Sequence, residues 1–162
     1  MTRGPDELLR RQITAAQEHI LAAVSGLDAP ALATIVAPSG WSMASMLAHL
    51  TYDDEIFWVG AVLAGDPAAI SSLCDGWSTD VSAPLEVVQR YRMVVLDSRR
   101  LLAQIDLDQP PAWWPPEEIF PMPAYESGRQ VAFHLLVELL THAGHLDMAR
   151  ERIDGHQHLA FE

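Results

Sequence analysis

The sequence predicts an all-α protein folded as a four-helix bundle with long connections. Three observations lead there. Four stretches repeat apolar residues at steps of three and four. No stretch alternates apolar and polar residues as a half-buried strand would. The intervening segments are rich in Pro, Gly, Ser and Asp. At 162 residues the chain is expected to form a single domain, 1–162, burying roughly 70% of its unfolded surface without disulfides or a structural metal.

The first helix is expected from about Asp6 to Val24, where Leu9, Ile13, Ala16, Ile20 and Val24 make one apolar stripe and His19 flanks it. Gly26 and Pro30 are expected to close it. The second begins at Ser42, a good N-cap, carries Met46, Leu50, Phe57 and Ala61, and stops at Gly65-Asp66-Pro67. A loop over about 66–82 follows, with Cys74-Asp75-Gly76-Trp77 in its middle. Pro84 suits the first turn of the third helix, which is lined by Val87, Tyr91, Val94, Leu101 and Ile105. The prolines between Gln109 and Pro123, around Trp113 and Trp114, forbid regular helix. Ser127-Gly128-Arg129-Gln130 has the form of a capping box and opens the fourth helix, which should end near Asp154-Gly155.

Charge and composition narrow the function. Ten Arg and no Lys stand against 22 acidic residues, giving a net charge of −12, so nucleic acid and anionic membrane are poor partners. No apolar run approaches a membrane span, and the N-terminal MTRGPDELLRRQ lacks the apolar segment of a signal peptide, so a cytoplasmic protein is expected. One cysteine, Cys74, excludes an intrachain disulfide and a cysteine-rich zinc site. No cations surround it in sequence, so it should be unreactive.

The fourth helix holds the chemical anomaly. Its stripe reads Val131, Leu135, Glu138, His142, His145, Ala149, so polar side chains occupy positions that should face the core. An unpartnered buried carboxylate is costly and must take a proton or find a cation. Glu138 and His142 are four apart, stacked on one face about 6 Å apart along the axis. A divalent metal would satisfy both, and His49 on the second helix can point inward as a third ligand. The alternative is that Glu138 and His142 hydrogen-bond across the bundle and His49 is a satisfied core histidine.

Around these residues stand further readings. His145 is either a neighbour of the ligands, a general base, or plain packing, and His134 can reach the Glu138 carboxylate. Asp53 either orients His49 or, with Asp54 and Glu55, belongs to a charged surface run. Trp113 and Trp114 either cover a pocket or anchor the bundle surface. Gly144 suggests close helix approach, within the chain or in a homodimer.

Ser39-Gly40-Trp41-Ser42-Met43-Ala44-Ser45-Met46-Leu47-Ala48-His49-Leu50 resembles the second-helix signature of the DinB/YfiT-like four-helix metalloproteins. Glu138-Leu139-Leu140-Thr141-His142-Ala143-Gly144-His145-Leu146-Asp147, continuing to Gly155, is similar to the closing-helix signature of that superfamily. The resemblance implies a divalent metal, zinc or nickel, with His49, Glu138 and His142 at the ligand positions. Many members have His where this chain has Glu138, and the carboxylate form is similar to the mycothiol-dependent branch. It further implies a thiol S-transferase or isomerase acting on mycothiol and an electrophile, and the position of His145, three residues after His142, makes it the candidate catalytic residue. Water in place of the thiol would instead give a hydrolase, and a bundle without turnover would be a binding or regulatory module.

Overall fold

A computed structural model describes residues 4–158. Four long rods pack side by side: α1 (Pro5–Ala23), α3 (Met43–His49) continued by a π-helical run (Leu50–Leu63), α5 (Pro84–Leu102) and α6 (Gly128–Asp154). Short helices α2 (Ala29–Ala33) and α4 (Pro67–Ser71) and a 3₁₀ turn (Gly76–Ser78) lie in the connections. The only pairing of strand type among the described residues is an isolated Ile35–Ser42 bridge. Among the described residues, no helix is long and apolar enough to cross a membrane.

Within the bundle, α1 lies along α6, and the π-helical run packs between α5 and α6. Ile13, Ile20, Leu47, Leu50, Leu135, Leu139 and Leu146 are fully buried where they meet. Each such aliphatic side chain contributes roughly 1.5–3 kcal/mol. Two arginines fasten helix ends whose carbonyls lack intrahelical partners. Arg10 donates to the carbonyls of Leu102 and Ile105 after α5, and Arg150 to those of Ala23 and Ser25 after α1.

The expected boundaries need three corrections. Pro30 and Pro67 do not only end helices. Each sits in the first turn of a short one, capped by the Asp28 or Asp66 side chain, because proline lacks only a donor that a first turn leaves unpaired. Ser127 makes no side-chain cap, since Gln130 turns away and accepts from the Glu126 N–H; the real capping box joins Ser42 and Ser45. Gly144 is not an intrachain contact, because it faces open space. On that same outward side of α6, Phe133, Val137, Leu140 and Met148 are exposed.

The π winding was not anticipated. It starts where the Thr51 hydroxyl donates to the Leu47 carbonyl at 2.7 Å, a bond that competes with the helix's own ladder. Buried pairs then recur every four residues: Leu50/Thr51, Asp54/Glu55, Trp58/Val59 and Val62/Leu63. Two carboxylates expected at the surface therefore turn inward. Glu55 is fully buried and accepts from the Gln17 amide at 2.8 Å, while Gln17 in turn accepts from Arg99.

Burial pushes the Glu55 carboxyl up to about 7, against the lowering influence of Gln17, Ser98 and Arg99. A carboxyl raised on folding holds its proton after the unfolded chain has lost it. Its contribution is therefore complete below about pH 4.5 and is lost as pH rises through 7. Glu55→Gln should accordingly stabilise the metal-free protein by roughly 2–3 kcal/mol at pH 8–9 and by almost nothing near pH 4.5. Urea midpoints across that range measure the difference, and a gain independent of pH would contradict it.

Candidate metal centre

His49 stands at the junction of α3 and the π-helical run. Its Nδ1 lies 2.7 Å from Asp53 Oδ2, so Asp53 orients the ring instead of belonging to a surface charge run. The Gly76 N–H holds the same carboxylate at 3.0 and 3.1 Å. A proton on Nδ1 directed at Asp53 leaves the Nε2 lone pair facing inward. The Trp77 ring stacks on the imidazole at 4.5 Å, which further fixes its plane.

His142 comes from α6, and its Nε2 lies 3.2 Å from Nε2 of His49. Burial, then the neighbouring His49, pushes the His142 ring down to about 4, so it is neutral at pH 7. Glu138 Oε2 lies 3.5 Å from that nitrogen, one turn earlier on the helix, and its Oε1 lies 3.8 Å from His134 Nε2. His134 is beyond hydrogen-bond reach of Glu138 and instead pairs through Nδ1 with the Tyr125 hydroxyl at 3.0 Å.

Asp54 is the ligand-type residue the sequence reading missed. Its Oδ2 is buried without a hydrogen-bond partner and lies 4.0 Å from His49 Nε2. His49, Asp54 and His142 offer donor atoms within 4.8 Å of one another. Burial, followed by repulsion from Glu138, Glu55 and Asp53, raises the Asp54 carboxyl well above the usual carboxylate range. A cation there would remove that penalty. Two donors about 2.05 Å from a tetrahedral zinc lie about 3.3 Å apart, close to the 3.2 and 3.5 Å separations found here. Neutral imidazole and carboxylate donors also suit nickel and other borderline divalent ions. His49, Asp54 and His142 fit the group, and Glu138 reaches it from the His142 side alone.

A cleft of about 600 Å³ opens beside these side chains, bounded in part by His49, Asp54, Trp58, Phe120, His134 and Glu138. Trp114 packs behind it against Trp58 and Phe120, whereas Trp113 rests on the core. Cys74 lines the cleft, but burial and the charges of Asp53 and Asp75 raise its thiol and keep it protonated. His145 is not brought into this cleft. Its ring lies 5.6 Å from that of His142 and borders a separate hollow with Trp41 and Arg152.

Gly76 makes the arrangement possible. A Cβ there would come within 2.7 Å of the His49 Cα and 2.8 Å of the Ala48 carbonyl oxygen, both immovable backbone atoms. Gly76→Ala should therefore lift the loop, break the bond to Asp53 and lower metal affinity about tenfold or more. Competition with a chromophoric chelator measures this, and unchanged affinity would show that the loop does not hold His49.

Comparison with known proteins adds one positive finding. The sequence model of the Mycothiol-S-transferase family matches residues 8–155. No curated protein and no solved structure matches the chain. The match spans the bundle from the first turns of α1 to the end of α6, and the chain belongs to the Mycothiol-S-transferase family.

Proposed function

We propose that this protein is a divalent-metal-dependent transferase that joins the sulfur of mycothiol to an electrophile. The observation that carries the reading is the convergence of His49, His142 and the unpartnered Asp54 oxygen, with Glu138 3.5 Å from His142, beside an open cleft in a chain of this family. His49, Glu138 and His142 would hold the metal, zinc or nickel, with Asp54 completing the neutralisation of its charge. Bound there, the metal supplies a Lewis acid that favours the thiolate over the thiol of a cosubstrate whose pKa lies near 8.5.

The chain's own residues do the remaining work. Asp53, tied to the Gly76 N–H, fixes the His49 ring so that Nε2 faces the centre. The depressed basicity of His142 keeps it an unprotonated donor at neutral pH. Glu138, half-buried at the cleft, faces His142 and the metal position with Oε2, and its other oxygen, Oε1, is left to receive the thiol proton. His145, outside the cleft, acts in this reading only through its field on His142. Cys74 stays a thiol and does not compete as nucleophile. The reading places the protein in the cytoplasm, and the exposed stripe of α6 beside Gly144 is where a homodimer would pair.

The test is turnover of mycothiol with an activated aryl halide. Activity should fall to background after chelation and return when metal is restored. Turnover that survives complete metal removal would end the metal-dependent reading. Hydrolysis without thiol in the same preparation would favour water as the nucleophile.

A further inference from the structure

We propose that the electrophile is an uncharged aromatic molecule, an inference that rests on the transferase reading above and narrows its substrate class. The cleft has two kinds of lining. Asp53 and Asp54 from the start of the π-helical run, Asp75 from the loop and Glu138 from α6 give it four carboxyl groups. Phe57, Trp58, Ile119 and Phe120 give it an apolar, mostly aromatic surface.

The charge balance is one-sided. A divalent cation offsets Asp54 and Glu138, but Asp53 and Asp75 remain, and the cosubstrate thiolate adds another negative charge. All ten cationic residues of the chain are Arg, and no described one lines the cleft. Arg10, Arg99, Arg129 and Arg150 are committed to helix ends, Gln17 and acidic partners elsewhere. With the thiolate on the metal, a carboxylate on the electrophile would therefore enter against like charge with no side-chain cation to receive it.

The aromatic side is built to accept a flat ring. Phe120, from the proline-rich segment, meets Trp58 edge-on at 5.2 Å and lies 6.4 Å from Phe57. Phe57 and Trp58 are themselves edge-to-face at 4.8 Å. Trp114 backs both Trp58 and Phe120, so the surface is held in shape before a ligand arrives. Ile119 is 53% exposed at its edge, leaving apolar area for a ligand to cover. Ring against ring is a favourable use of such a surface.

The reaction of a matched probe is balanced without a further reagent. The mycothiol sulfur bonds to the chlorine-bearing ring carbon, the carbon–chlorine bond breaks, and chloride leaves with the bonding pair. The thiol proton passes through Glu138 to buffer.

Methyl 4-chloro-3,5-dinitrobenzoate and 4-chloro-3,5-dinitrobenzoate share ring and leaving group and differ in charge. With the metal-loaded full chain and mycothiol, kcat/KM for the ester should exceed that for the acid at least tenfold beyond the ratio of their uncatalysed rates. Asp75→Asn keeps the turn-capping oxygen but removes the charge, and should shrink that preference about threefold. With mycothiol saturating the metal-loaded protein, methyl 3,5-dinitrobenzoate, which lacks the chloride leaving group, should bind at least tenfold more tightly than 3,5-dinitrobenzoate by titration calorimetry. Phe120→Ala should weaken the ester about fivefold. Equal binding of ester and acid, or tighter binding of the acid, overturns the proposal. Preferential ester binding with no turnover of either chloride overturns the transferase reading and leaves the preference of the cleft standing.

Discussion

Alanine in place of His49 or His142 is expected to lower divalent-metal affinity at least ~100-fold, to below stoichiometric occupancy, while the chain keeps its helical circular dichroism. The two Nε2 atoms are 3.2 Å apart on different helices, so each supplies a donor that no neighbouring side chain can replace. The bundle should survive, because neither ring belongs to the apolar core that joins α1, α3, α5 and α6. The carboxylates divide the remaining charge. Glu138→Gln and Asp54→Asn should each cost tenfold or more, and the double variant should bind no metal. His145→Ala serves as the contrast and should retain full occupancy, since its ring borders a different hollow. Elemental analysis of protein purified without a metal-affinity tag, followed by chelator competition, gives these numbers. Full occupancy in any one of the ligand variants would remove that residue from the set.

The asymmetry between Glu138 and Asp54 shows what a sequence discloses and what it withholds. Glu138 and His142 interrupt an apolar α-helical stripe four residues apart, and His49 sits beside one, so periodicity made each a candidate while the family resemblance supplied them as one set. Asp54 follows His49 by five. On an α-helix those two positions point about 140° apart, which sends Asp54 away from the imidazole. Only i→i+5 winding turns it back, and nothing in Leu50–Leu63 marks that winding in advance except Thr51 at its start. The same winding hid Glu55, which composition alone placed in a surface run with its acidic neighbours.

The loop that holds Asp53 was equally silent, because the contact between Gly76 and His49 spans 27 positions and rests on the lack of a Cβ. Helix positions and the four-rod architecture were legible since they follow from local periodicity and proline chemistry. The short helices were not, because a proline that ends one helix reads the same as one that begins the next.

Direct contact between mycothiol and the centre is the remaining large expectation. Cobalt-substituted protein should develop an intense near-ultraviolet sulfur-to-metal band when mycothiol is added, which oxygen and nitrogen donors do not produce. His142→Ala should abolish the band along with the metal. Cys74→Ser separates the cosubstrate's sulfur from the protein's own. Cys74 lies in the cleft lining, yet its thiol is raised by burial and by Asp53 and Asp75, so at neutral pH it supplies almost no thiolate. The serine variant should therefore keep both the band and turnover to within about twofold. A band that appears without mycothiol and vanishes in Cys74→Ser would instead make Cys74 the metal's sulfur donor, present as thiolate. If mycothiol produces no band while turnover persists, the thiol reacts without touching the metal. The role of His49, His142 and their carboxylates would then be confined to holding the cleft in shape.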